Sequence, residues 1–176
     1  MTPTDAAWLA GFLDGEGSFM VAKSWHLGCS APTYAAVVGA SNTDKSLLLK
    51  CQSIAGGKIV TTAAKSARWK DAHHWQIKGR SVEPLVRSVL PYLVGKRRQA
   101  ELLLKLRALT HLGSKPGCFS TRKTPAEVAE RADIHALVKA LNARGGPSIN
   151  PEYAAMAERR INGDRGGLLD LMEAAQ

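Results

Sequence analysis

Leu9-Ala10-Gly11-Phe12-Leu13-Asp14-Gly15-Glu16-Gly17 is the stretch from which the fold of this chain is argued. It sits in residues 6–16, which hold no β-branched residue and place Leu9, Phe12 and Leu13 at i, i+3 and i+4, so the spacing predicts a short amphipathic helix ended by Gly17. Gly11 and Gly15 are four residues apart and share a face without side chains, where a second helix backbone can come close. Glu16 falls at the predicted C-terminus, where carbonyls including that of Gly15 lack helical partners and the negative dipole end draws a cation. A carboxylate, a backbone carbonyl and water form the hard oxygen set that Mg²⁺ accepts, and phosphate oxygens complete it. Asp14 lies two residues back, about 200° around the helix, and is assigned a structural role. The plain alternative is a helix that merely packs on a core and leaves Glu16 exposed. The glycine spacing and Lys96 further along the chain weigh against it.

Beyond Gly17 the period changes to two. Phe19, Val21 and Trp25 alternate with Ser18, Met20, Ala22 and Ser24, as in a half-buried strand, with Lys23 breaking the pattern. A turn from His26 to Thr33 holds Gly28 and Pro32, and Tyr34 to Ser41 completes a hairpin. Asn42-Thr43-Asp44 offers a cap for a helix carrying Leu47, Leu48, Cys51 and Ile54, which Gly56-Gly57 ends. Lys58 to Ala64 and His73 to Lys78 form a second hairpin around a charged turn. Helices follow from Ser81 to Leu90, from Lys96 to Leu112 and from Pro125 to Ala143, with a tail helical to about Ile161. The order α-β-β-α-β-β-α-α-α gives an α+β fold, one four-stranded antiparallel sheet backed by helices.

The chain has 176 residues, 45% of them hydrophobic, enough for one domain and too apolar for a disordered chain. No run of about 18 apolar residues is present to span a membrane, and Asp5 interrupts any secretory leader, so an intracellular place is expected, in cytoplasm, nucleoid or organelle matrix. Cys29, Cys51 and Cys118, odd in number and widely spaced, are read as reduced and structural. The net charge of +9 is concentrated: residues 61–125 carry fourteen bases and three acids, whereas residues 1–60 are balanced and residues 126–176 slightly acidic. That distribution suits a phosphate-facing surface, against the bland alternative of a solvated basic face.

The quoted stretch resembles the LAGLIDADG motif of the homing endonucleases, with Phe12 and Leu13 at its apolar positions and Glu16 where the family allows Asp or Glu. Ser18-Phe19, Ser41-Asn42-Thr43-Asp44 leading to a helix, and Pro91-Tyr92-Leu93 with Lys96 and Gln99 extend the resemblance from residue 8 to about residue 105. It implies an αββαββα core over residues 5–112 with a saddle-shaped sheet, within a single domain of residues 1–176 whose part from 125 to 176 adds C-terminal helices. Only one motif is present, and single-motif members of the family act as homodimers. The resemblance therefore implies that residues 7–15 pair across a two-fold axis, with Trp8, Gly11, Asp14 and Gly15 at the interface. Both Glu16 side chains then meet, and divalent ions between them relieve the repulsion. Mg²⁺ is the implied cofactor, held by Glu16 and the Gly15 carbonyl, with Mn²⁺ or Ca²⁺ substituting in binding.

The implied activity is metal-assisted hydrolysis of one phosphodiester on each strand of a long, nearly palindromic site, by a freestanding, intron-encoded enzyme. Lys96 matches the basic residue that reaches the scissile phosphate in relatives, Ser41 stands where relatives often place Gln, and Lys45 aligns with a basic pocket residue. His73-His74 lacks the companions of a His-metal nuclease and is read as a groove-facing polar pair.

The partner is double-stranded DNA, with a second copy of the chain and with neither membrane nor small-molecule substrate. A sheet fits the major groove, and strand parity turns Ser18, Met20, Ala22 and Ser24 outward, then Lys58, Val60 and Thr62, then His74, Gln76 and Lys78. His26 follows on the same parity. Lys65, Arg68 and Lys70 in the turn, and Arg97, Arg98, Arg122 and Lys123, are phosphate candidates. Trp25, Trp69 and Trp75 are offered as base-stacking groups, with core packing the commoner role of tryptophan. The runner-up function is a non-cleaving nucleic-acid-binding protein on the same scaffold, an intron RNA maturase or a DNA-binding regulator. A basic α+β protein without a nucleic-acid partner is the third reading.

Overall fold

The computed structural model describes residues 1–27, 31–66, 68–111, 124–143 and 151–162. The first helix, α1, runs over Pro3–Glu16, three residues earlier than the apolar spacing alone indicates. Its start is fixed by a capping box: the Thr2 hydroxyl accepts from the Asp5 N–H at 3.1 Å while Pro3, which has no N–H to satisfy, opens the first turn. Strands β1 (Gly17–Ser24) and β2 (Thr33–Asn42) form the first hairpin. Helix α2 (Lys45–Ala55) is capped by Asp44, whose carboxylate accepts from the Ser46 N–H at 2.8 Å. Strands β3 (Lys58–Thr62) and β4 (Ala72–Lys78) form the second hairpin. Helices α3 (Val82–Val89), α4 (Arg97–His111), α5 (Pro125–Leu141) and α6 (Pro151–Ile161) complete the order.

The four strands are antiparallel in the order β1-β2-β4-β3. One face of the sheet, carrying Phe19, Val21, Tyr34, Ala36, Val38, Ala40, Trp75 and Ile77, lies in the core with Leu9 and Leu13 of α1 and Leu102, Leu103 and Leu106 of α4. The other face is left open. Helices α5 and α6 belong to the same core through Ile134, Leu137, Val138, Ala157 and Ile161. They are joined by Asp133, 1% exposed, which accepts from the Tyr153 hydroxyl and from Arg160, both at 2.6 Å. The Asn142 side chain ties α5 to the edge strand by donating to the Phe19 carbonyl at 2.8 Å.

The α2–β3 connection requires glycine. Gly57 has φ +93°, and a Cβ there would stand 2.7 Å from the Gln76 carbonyl oxygen and 2.9 Å from Trp75 Nε1. The same turn receives the indole, whose Nε1–H donates to the Gly56 carbonyl at 2.7 Å, so Trp75 is a core residue. Trp25 is not. Pairing of the first hairpin stops at Ser24 with Thr33, and Trp25, one residue beyond the end of the strand, is 64% exposed. Cys51 is buried and free, with its thiol pushed up to about 11 by burial, which keeps it protonated and inert; Cys29 and Cys118 lie outside the described residues. Among the described residues no helix is long and apolar enough to cross a membrane.

Candidate functional site

The open face of the sheet and the end of α1 meet at Glu16. Helix passes into strand without a loop, since β1 starts at Gly17, and Glu16 stands exposed at the junction. Only glycine permits that change of direction: a Cβ on Gly17 would fall 2.5 Å from Leu13 Cδ2 and 2.7 Å from the Leu13 backbone. The last turn of α1 contains no basic residue of its own. Lys96 supplies the cation, its Nζ donating to the carbonyls of Leu13 at 2.9 Å and Gly17 at 2.7 Å, the favourable placement at the negative end of a helix. An ammonium has three N–H groups, so one remains for another acceptor.

Asp14 is what brings Lys96 there. Its carboxylate accepts from the backbone N–H groups of Val94 at 2.7 Å, Gly95 at 3.2 Å and Lys96 at 2.9 Å, which fastens the segment before α4 to α1. The structural role read from its angular position agrees with this grip of the carboxylate on the backbone of residues 94–96. Burial alone would raise the Asp14 pKa; the three backbone N–H groups outweigh it and hold the carboxyl below its ordinary value. Asp14→Ala is expected to cost about 2 kcal/mol at neutral pH by removing charge-assisted bonds. The lowered pKa sets the sign: the contribution is whole above the ordinary carboxylate value of about 4 and fades as pH falls through the lower folded value. Urea unfolding at pH 7 and at pH 2 checks it, and the gap between wild type and variant should shrink in acid.

On the open face the strand register forms rows. Ser18 pairs with Gly39, Gly39 with Gln76, and Gln76 with Lys58; Met20 pairs with Val37 and Val37 with Lys78. Ser41 pairs with His74 and His74 with Val60, and because Gly17 pairs with Ala40, Glu16 stands at the end of that row. The outward sets from β1, β3 and β4 thus share one surface as parity predicts, including Ala22, Ser24 and Thr62. Met20 is 40% and Val60 53% exposed, apolar groups presented outward among polar ones. From β2 the sequence pattern singles out Ser41 alone. The strand also contributes Thr33, Ala35, Val37 and Gly39, whose alternation is hidden because a central strand is buried along most of its length.

His73 and His74 do not form a groove-facing pair. Successive strand residues point to opposite faces, and His74 Nδ1 lies 2.7 Å from Ser41 Oγ on the open side, whereas His73 Nδ1 lies 2.8 Å from Thr61 Oγ1 on the other. Lys45, in the first turn of α2, is exposed just beyond β2. Lys65, Arg68 and Lys70 are exposed in the β3–β4 turn with Trp69, 68% exposed, and Asp71 steadies that turn by accepting from the Ala64 N–H at 2.9 Å. His26 is exposed beside Trp25. Arg97 pairs with Glu101 at 3.3 Å within α4, and Arg98 pairs with Glu101 at 3.4 Å and with Glu158 of α6, the last joining the two helices. Arg122 and Lys123 lie outside the described residues.

The outer face of α1 is also open. Ala7, Gly11 and Gly15 are exposed, and a Cβ built on either glycine meets nothing within 4 Å. Trp8, half-buried, stacks on Phe12 at 5.5 Å with the rings 4° from parallel and borders this smooth stripe. The donor set at Glu16 is a carboxylate with helix-end carbonyls, all hard oxygen, which fits a hydrated divalent cation. Among the described residues no group of three His, Cys, Asp or Glu side chains converges, so the fit needs oxygens from outside this chain.

No protein-family model matches the sequence, and no curated protein matches it. Solved structures do match. The homing endonuclease I-CvuI in complex with its target is 20% identical, with 91% of this chain and 96% of that one covered and a TM-score of 0.65. The archaeal intron-encoded homing endonuclease I-Vdi141I complexed with DNA is 12% identical over 89% of this chain and 96% of that one, with a TM-score of 0.61. The LAGLIDADG homing endonuclease I-GzeII in complex with a DNA target is 18% identical over 90% of this chain but only 48% of its own length, with a TM-score of 0.60. The chain has the fold of the LAGLIDADG homing endonucleases, an α+β core built on one four-stranded antiparallel sheet.

Proposed function

We propose that this chain is a LAGLIDADG homing endonuclease which acts as a homodimer and cuts both strands of a long, near-palindromic DNA site. The observation that carries the reading is the junction at Glu16: an exposed carboxylate at a helix end, beside the Lys96 ammonium and at the margin of an open, partly basic sheet face. Glu16 and the Gly15 carbonyl would hold Mg²⁺, with Mn²⁺ or Ca²⁺ substituting in binding; one of the I-CvuI complexes was obtained in the presence of 2 mM Ca. Such an ion supplies a Lewis acid that offsets charge on the phosphate as its ester bond breaks.

The remaining work falls to the chain itself. Lys96 directs its free N–H at a phosphate oxygen. Gln76, Lys58 and Lys78 offer hydrogen bonds to base edges, and Met20 and Val60 suit thymine methyl groups. Lys65, Arg68 and Lys70 neutralise phosphates at the end of the sheet, which makes binding fall steeply with salt. Coverage supports a two-chain assembly, since this chain spans nearly all of I-CvuI and about half of I-GzeII. A freestanding, intron-encoded, intracellular enzyme fits the single motif.

The test is incubation with a randomised duplex library and Mg²⁺, followed by sequencing of the ends. One recurrent near-palindromic motif, cut on both strands, is expected. Salt-sensitive binding with no cut ends would leave the non-cleaving scaffold instead.

A further inference from the structure

Ser41 and His74 form a hydroxyl–imidazole pair in the sheet row that ends at Glu16. The two residues are direct cross-strand partners, Oγ lies 2.7 Å from Nδ1, and both side chains stand on the open face. Ser41 is exposed and His74 half-buried, so the pair is held by the sheet yet open on the side where a duplex would lie. The chain contains a comparison of its own. His73 makes the same kind of bond to Thr61, at 2.8 Å, on the opposite side of the sheet, away from the row that ends at Glu16.

We infer that Ser41 and His74 take up the proton lost by the attacking water, Ser41 as the group in contact with the water and His74 as the acceptor behind it. This rests on the nuclease reading above. With the imidazole proton on Nε2, Nδ1 accepts the Ser41 O–H, and Oγ has a lone pair free for a water proton. As the water oxygen bonds to phosphorus, its proton passes to Ser41 Oγ and the proton of Ser41 passes to Nδ1. The bond from phosphorus to the leaving sugar oxygen breaks, and that oxygen takes a proton from solvent. His74, then an imidazolium, returns its proton to solvent through Nε2. Serine alone orders a water but holds no extra proton, so His74 completes the function of the hydroxyl.

The experiment measures DNA affinity and single-turnover cleavage on the duplex recovered from the library, for wild type, Ser41→Ala, His74→Ala, His74→Asn and the Ser41→Ala/His74→Ala double variant. Affinities within about twofold of wild type are expected, with cleavage slowed about 100-fold in each single variant. The double variant should be no slower than the slower single one, as for two groups acting as a unit. His74→Asn separates proton transfer from positioning, since its amide oxygen still accepts from Ser41 yet binds no proton; it should be as slow as His74→Ala. Added imidazole should restore cutting to His74→Ala and not to Ser41→Ala. Near-wild-type cutting by His74→Asn, or losses confined to affinity, would overturn the pair while leaving the nuclease intact. A wild-type chain that cuts no duplex would overturn the nuclease reading itself, and is seen in the wild-type sample alone.

Discussion

Glu16→Gln is expected to bind its duplex as tightly as wild type and to cut it at least about 1,000-fold more slowly, the scale on which loss of a group stabilising developing charge is felt. Structure separates the two effects. Glu16 is exposed and, among the described residues, its carboxylate makes no hydrogen bond or ion pair, so the amide leaves the α1–β1 junction, the Lys96 contacts and the sheet undisturbed. Binding draws instead on the open face and the basic turn, both built from other residues. In the absence of a cation Glu16 repels phosphate, so the variant should bind somewhat better than wild type when Mg²⁺ is withheld. Filter binding with and without Mg²⁺, beside single-turnover cleavage, checks both halves. Cutting at the wild-type rate would remove Glu16 from the chemistry, whereas parallel loss of binding and cutting would make it a docking residue.

What could be seen beforehand, and what could not, follows from the range of each interaction. The period of two along β1, β3 and β4 is local, and it placed Ser18, Met20, Lys58, Val60, His74 and Gln76 on one surface in agreement with the register. That rule fails where burial comes from both sides, as in β2, and where the strand has already ended, as at Trp25. It also separates His73 from His74, which as strand neighbours point to opposite faces. The approach of Lys96 to the end of α1 depended on the motif resemblance. Its physical means, a carboxylate on residue 14 gripping backbone N–H groups of residues 94–96, leaves no mark in sequence because every residue but proline carries such a group. Counting bases likewise located a positive region without showing which bases are already paired: Glu101 lies within a helical turn of Arg97 and Arg98, but Glu158 is distant in sequence.

Gly11→Leu is expected to leave the single chain folded and to abolish its self-association. In the isolated subunit a side chain at Gly11 meets nothing within 4 Å, so no contact inside the chain is strained. Leucine also favours a helix over glycine by about 0.5–1 kcal/mol, and the melting temperature of the monomer should hold or rise. Across a two-fold axis the same leucine would appear twice at the line where the two α1 helices come nearest, in place of the smooth glycine stripe. Overpacking of about 1–3 kcal/mol for each copy then weakens the dimer by roughly 30-fold or more. Gly11 lies more than one helical turn from Glu16, so loss of cutting in this variant would follow from assembly rather than from injury to the acidic centre. Sedimentation at micromolar protein should give a dimer for wild type and a monomer for the variant, with double-strand cleavage lost and the far-ultraviolet spectrum unchanged. Since each chain brings one Glu16, a monomeric wild type that still cuts both strands would contradict the paired arrangement, and a dimeric Gly11→Leu would place the interface elsewhere than on the glycine stripe of α1.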